Sequence, residues 1–272
     1  LARILLILHP DLRISMLRVV NLLRGAIRGY RGLLLDLPSE MEDAVNGLAR
    51  GETSYDEFLE EVERGGHLPE PMGAWEYTFR PLLEALPRIS PPGFMVRCYG
   101  SREREFARVE AAVRIAQLTL RAALRGRVEV DEWRDILNRS IGLEEEAISE
   151  GAKTIGEIAR GDSICLAEMG GIGLRKHLSR SGFDVEVFYV ERPYHFTPLA
   201  ILKRRMGLGP VEDGEIERLV RCHVEYIRNY IYRFENRDRA YYEWIYDKIP
   251  WLRGRMKREE IDILSRILEH PS

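Results

Sequence analysis

Two histidines and two glutamates follow short aliphatic runs: His9, Glu40, Glu168 and His195. Together they offer the donor types for a divalent metal ion and the titratable groups for acid–base catalysis. Arg192 and Tyr194 stand beside His195 and would bring a cation and a directed hydroxyl to a substrate or a developing oxyanion. His195 also lies two residues before Thr197-Pro198, a helix start at which backbone N–H groups favour an anion. Ser101 and Arg102 follow another aliphatic run and would add substrate contacts, and Asp36 closes a further one. The competing reading is plain. Strand ends are polar because the loops after them are solvated, and a lone His there is more often bonded to neighbouring backbone than to a ligand.

These residues converge only if the runs are neighbouring strands. Ile4–Leu8 is aliphatic without alternation, as a strand covered on both faces is, and Leu33–Leu37, Phe94–Tyr99, Ser163–Ala167 and Asp184–Val190 are further short strand candidates. Helical spacing fills the intervals: Ile14, Leu17 and Val20 in the first, a small helix near 54–64, and Glu76–Leu86. Ser39 with Glu42 matches a capping box. The glycines and prolines of 65–73 mark a loop of lid type. This alternation predicts an α/β fold, a mainly parallel sheet flanked by helices, with ligands at the carboxyl ends of its strands.

Between Ser101 and residue 160 the strand signals stop. Phe106, Val109, Val113, Ala116, Leu120 and Leu124 predict one long helix with a core-facing stripe, followed by helices near 130–139 and 143–159. The expected organisation is a first α/β portion (1–100), a helical insertion (101–160), a second α/β portion completing the sheet (161–210) and a helical C-terminal extension (211–272), ending in an amphipathic helix at 255–268.

The charge balance narrows the function. Lys+Arg total 41 against 44 Asp+Glu, a net charge of −3, which disfavours a general polyanion binder. Only five of those cations are lysine, and there is a single glutamine; charge-rich, amide-poor composition suits a heat-adapted intracellular protein. The aromatic segment 221–251 interleaves Tyr226, Tyr230, Tyr241 and Trp244 with arginines, but Glu225, Glu235, Asp238, Glu243 and Asp247 cancel most of that charge. Nucleic acid is therefore disfavoured against an internal packing face or a homo-oligomer interface. No apolar stretch suits a membrane span. Three scattered cysteines, with no CxxC, fit a reducing cytoplasmic setting. Gly170-Gly171-Ile172-Gly173 is an incomplete dinucleotide fingerprint, since Lys176 stands where its last glycine would be. The glycines are better explained by a tight turn.

The opening Ile4–Asp11, the helix after it, and Leu33-Leu34-Leu35-Asp36-Leu37-Pro38-Ser39-Glu40 resemble the first unit of the TraB, Tiki, ChaN and erythromycin-esterase group. There a strand ends in a His-bearing turn, a helix follows, and a second strand ends in an acidic residue. Pro71–Tyr99 and Ser163–Val190 look like later units of that group, so the likeness covers about half the chain. It implies an α/β fold with helical insertions and a site at the strand ends. Members include metal-dependent peptidases, an esterase and a haem-binding protein. His9 and Glu40 match the early positions, and Glu168 or His195 the late one. The expectation is a hydrolase, metal-assisted through His9, Glu40, Glu168 and His195, acting on a small molecule or peptide. Its alternative is a non-catalytic ligand-binding or assembly scaffold with the Tyr-rich helices as its interface.

Overall fold

A computed structural model describes residues 2–253, so the helix expected at 255–268 lies outside the described residues. Along the chain run β1 (Arg3–His9), α1 (Arg13–Ala26), β2 (Gly32–Pro38), α2 (Glu42–Ala49), α3 (Tyr55–Gly65), α4 (Gly73–Ile89), β3 (Met95–Gly100) and α5 (Arg102–Arg125). There follow α6 (Val130–Ile158), β4 (Ser163–Glu168), α7 (Gly173–Arg180), β5 (Asp184–Tyr189), α8 (Pro198–Leu208), α9 (Asp213–Tyr226), α10 (Arg237–Lys248) and α11 (Pro250–Arg253). The five strands form one sheet in the order β3-β2-β4-β1-β5, every neighbouring pair parallel.

The aliphatic runs of β1, β2 and β4 become strands because both their faces are covered, while the edge strand β5 alternates between exposed and half-buried residues. Leu5, Ile7, Leu33, Leu35, Ile164 and Leu166 belong to one core layer with α1, α2 and α4. Ile4, Leu6, Leu8, Leu34 and Cys165 face the other way, against Ala152 and Ile155 of α6 and Leu174 and Leu178 of α7. Each fully buried Leu or Ile contributes about 1.5–3 kcal/mol, so this two-sided burial dominates the local propensities. Gly171, just before α7, serves close packing: a Cβ there would stand 2.7 Å from that of Ala167.

α2 also closes the free edge of β3. The Asn46 side chain donates to the Val96 carbonyl at 2.7 Å and accepts from the Val96 N–H at 3.1 Å, while Glu42 accepts from the Cys98 N–H at 3.0 Å and pairs with Arg97. Glu42 is thus spent on the sheet edge. The capping box expected at Ser39 does not form, and the box that does form joins Ser54 to Glu57 at the start of α3. Phe58 and Val62 bury the apolar side of α3 in the core.

Among the described residues, contacts divide the chain into two units: residues up to 109 with 143–192, which hold the whole sheet, and residues 110–142 with 193–253, whose regular elements are helices. These units do not coincide with the portions expected at 101–160 and 161–210. The helical segment after β3 is shared between the units, and α8 belongs to the second. The helices expected at 130–139 and 143–159 are one, α6, because a lone Gly142 costs only about 1 kcal/mol in a helix. In α5, Phe106, Val113, Leu120 and Leu124 are exposed, and Ala111, Leu118 and Ala122 form the buried face instead. Small side chains let a helix approach its neighbours closely.

In the second unit Trp133, Ile136, Leu137, Ile216, Val220 and Ile245 are buried together with Tyr226, Tyr230, Tyr241, Tyr242 and Trp244. Most of the aromatic segment therefore builds this unit's interior. That corrects the expectation of a Tyr-rich interface, of which only Tyr232 and Trp251 remain well exposed. No helix among the described residues is long and apolar enough to cross a membrane.

Candidate functional site

The path from β1 to β2 steps over β4, and the path from β4 to β5 steps back over β1. Loops leaving the carboxyl ends of β1 and β4 therefore diverge, the topological condition for a ligand crevice. A crevice is present there within the first unit, lined by His9, Asp36, Trp75, Phe79, Glu105, Arg108 and the end of β4 from Leu166 to Glu168. The space takes roughly one water-sized group.

His9 ends β1 and is buried. Its Nδ1 lies 3.0 Å from the Pro10 carbonyl oxygen. A carbonyl only accepts, so Nδ1 carries the hydrogen and Nε2 of the neutral ring is left as an acceptor. The ring meets the edge of Phe79 at 6.3 Å between centroids, and Phe79 stacks on Trp75 at 5.6 Å. The Trp75 indole N–H is buried with no hydrogen-bond partner among the described residues.

Asp36 sits where β2 carries one residue more than β3 between the pairs Leu35–Cys98 and Pro38–Gly100. Such a bulge re-aims side chains near active sites. Gly100 makes it possible, since a Cβ there would stand 2.7 Å from the Leu37 carbonyl oxygen. Burial pushes the Asp36 carboxyl above its ordinary range, with Glu168 adding to the effect and Arg104, Arg108 and His9 opposing it.

Glu105 and Arg108 come from the first turns of α5. Arg108 donates to Glu105 at 2.8 Å and to Glu168 at 3.1 Å. Burial again raises the Glu105 carboxyl, opposed by Arg108 and reinforced by Asp36 and Glu168. The guanidinium in turn is held charged more firmly than usual, chiefly by Glu168. About half of the Arg108 side chain is exposed, so water screens these ion pairs in part. Three carboxyl groups, one guanidinium and one imidazole thus share a small space, in which two of the acids favour keeping a proton.

Of the residues expected at the site, His9 and Glu168 line this crevice. Glu40 is exposed and accepts from its neighbour Ser39. Ser101 accepts from the Arg104 N–H at 3.3 Å, and Arg102 lies over the Phe106 ring. Arg192 covers the Tyr189 ring at 4.5 Å. His195 and Tyr194 belong to the second unit. There His195 bonds the Phe196 carbonyl through Nδ1 and touches Trp244, while Tyr194 stacks on Tyr241. These are packing and backbone-bonding roles. Thr197 does cap α8, accepting from the Ala200 N–H.

The metal set is corrected with them. Among the described residues no three His, Cys, Asp or Glu side chains are grouped to hold a metal ion. In the crevice, Arg108 already bridges Glu105 and Glu168, which supplies the positive charge between them. The donor set does not fit a divalent ion. Cysteine chemistry is also poorly served, because burial pushes the Cys165 thiol up to about 12 and raises that of Cys98 as well.

Reading only the residues just after each strand leaves out Trp75, Phe79, Glu105 and Arg108. A helical signal did exist for the last two. Spaced three apart at the start of the helix that follows a strand, they share one face near the strand ends. Compared with known proteins, the chain matches no family model, no curated protein and no solved structure.

Proposed function

We propose that the sheet-bearing unit is a hydrolase working by proton transfer among its own side chains on a small-molecule or peptide substrate. The observation that carries this reading is the convergence of Asp36, Glu105 and Glu168 on Arg108, beside His9, at the carboxyl edge of a parallel sheet. The resemblance to the TraB, Tiki, ChaN and erythromycin-esterase group supports hydrolysis, but the donor set does not support that group's metal. A water in the narrow space gives a proton to His9 Nε2 as its oxygen attacks the scissile carbon. Asp36, whose carboxyl burial raises above its ordinary range, is the acid that gives a proton to the departing oxygen or nitrogen. Arg108 orients Glu168 and Glu105 around that water, and the Trp75 indole N–H donates to the substrate oxygen that gains charge.

The test is a panel of chromogenic esters and peptide amides, run on the full chain and on Asp36→Asn. The wild type is expected to hydrolyse at least one class, with Asp36→Asn slower by about a hundredfold or more. The same variant has a stability signature. A carboxyl raised in the fold binds its proton more tightly folded than unfolded, so its favourable contribution is full at acid pH and is lost as pH rises through the folded value. Asn mimics the protonated form, so Asp36→Asn is expected to be more stable than wild type at neutral pH and near parity in acid. Stabilisation accompanied by lost activity is what a strained catalytic acid gives. Undiminished turnover in Asp36→Asn would refute its role.

A second reading, a non-catalytic scaffold, is favoured by one observation: Arg108 is already committed to two carboxylates. In that case the cluster ties α5 to β4, and Asp36→Asn changes stability alone.

A further inference from the structure

A second cavity lies in the same unit, at the amino ends of β2, β3 and β4, where Gly32, Met95 and Ser163 begin their strands. Its volume is about 420 Å³, within the range of small-molecule sites. Its wall carries three arginines, Arg31, Arg97 and Arg160, with Tyr30, Met95 and Ile158 among its apolar surfaces.

The charges in this wall do not cancel. Arg97 is neutralised by Glu42. Asp162, the acid next to Arg160 and Gly161, is engaged by Arg3 through both its backbone N–H and its guanidinium. Among the described residues, the guanidinium groups of Arg31 and Arg160 have neither an ion-pair nor a hydrogen-bond partner. The local chain is shaped to present Arg31. Gly161 takes a φ of +110°, which L side chains rarely adopt, and a Cβ there would stand 3.1 Å from Arg31 Cδ. The Arg31 stem therefore lies over position 161, beside Arg160.

Two unpaired guanidinium groups on a wall that also offers an exposed methionine and a proline-glycine rim define a ligand by its charge and shape. Each guanidinium presents a planar fork of donors suited to oxyanions, and two of them balance a double negative charge. We propose that this cavity binds a phosphate monoester carrying a flat apolar body, with the phosphate on Arg31 and Arg160 and the body against Met95, Ile158 and Tyr30. A carboxylate or sulfonate leaves one guanidinium uncompensated. Free phosphate leaves the apolar wall wet. The site is at the opposite end of the strands from the acid–base crevice, so it does not depend on the hydrolase reading.

The experiment is isothermal titration calorimetry on the full chain at low salt, in mildly alkaline buffer where a phosphate monoester is a dianion. Naphthyl phosphate, naphthalenesulfonate and inorganic phosphate serve as probes. Naphthyl phosphate is expected to bind one-to-one, about tenfold or more tighter than either other probe. Arg31→Gln and Arg160→Gln are each expected to weaken it about tenfold, the loss of a hydrogen bond to a charged group. Both side chains are exposed, and circular dichroism checks that the variants fold. Asp36→Asn is expected to leave this binding unchanged. No saturable binding, equal affinity for the sulfonate, or indifference to both arginine variants would overturn the phosphate site. Equal affinity for inorganic phosphate would overturn the apolar subsite. Loss of binding in Asp36→Asn would place the ligand in the other crevice and overturn the assignment.

Discussion

Replacing Asn46 by Ala tests how the edge of the sheet is held, and with it the strand that leads into α5 and its Glu105 and Arg108. The Asn46 amide donates to the Val96 carbonyl at 2.7 Å and to the Glu42 carbonyl at 2.8 Å, and accepts from the Val96 N–H at 3.1 Å. The Glu42 carbonyl lies in helix α2 and keeps its intrahelical partner, so its loss is small. Val96 is fully buried, and both of its outward backbone groups lose their partner once the amide is gone. A buried polar group left unpaired costs about 1–3 kcal/mol, so two of them cost about 2–5 kcal/mol after partial relaxation. Urea denaturation measures that difference, and amide exchange at Val96 reports it locally. Asn46→Asp sharpens the test: it keeps the acceptor for the Val96 N–H but sets an oxygen against the Val96 and Glu42 carbonyls. Its cost is expected to exceed that of Ala at neutral pH and to shrink in acid, where the acid form recovers one donor. An Asn46→Ala penalty below about 1 kcal/mol, with Val96 exchange unchanged, would refute the claim that unpaired backbone at this edge is costly.

Two further perturbations address the second unit and the bulge. Burial lowers the His223 imidazole from 6.5 to about 4, so the unfolded chain takes up its proton first and stability falls as pH drops through that window. Against His223→Phe, which keeps an aromatic ring beside Trp133, urea midpoints are expected to show the wild type losing about 2 kcal/mol more between neutral pH and about pH 4.5; parallel pH curves would remove His223 as the cause. Gly100→Ala forces a Cβ to within 2.7 Å of the Leu37 carbonyl oxygen, and is expected to cost about 1–3 kcal/mol in chemical denaturation, with altered exchange at Asp36 and Leu37. A neutral result there would mean that the bulge shifts freely.

Ile4–Leu8 and Ser163–Ala167 were legible as strands because a strand buried on both faces is apolar throughout, whereas β5, exposed on alternate residues, lies outside that rule. His9 and Glu168 were legible for the same reason, being the first polar residues after such runs. Glu42 shows the limit of local pattern. Its spacing from Ser39 satisfies a capping box, yet the unpaired Cys98 N–H across the sheet edge competes for the carboxylate and wins. The α5 stripe shows the limit of periodicity, which identifies a helix but not the side that finds a neighbour.

By itself the sequence determined the class of the fold, the parallel alternation and the polar strand ends, because burial and hydrogen bonding along one segment depend on that segment's own side chains. Only the tertiary structure decided that Asp36, Glu105, Arg108 and Glu168 share one space while His195 spends its hydrogen bond on backbone. It likewise decided that Arg31 and Arg160 line one cavity unpaired. Such meetings depend on strand order, a bulge of one residue and the path of a helix, which bring together charges far apart in the chain. The proton affinity of a carboxyl follows from that company and its burial, not from its position in the sequence.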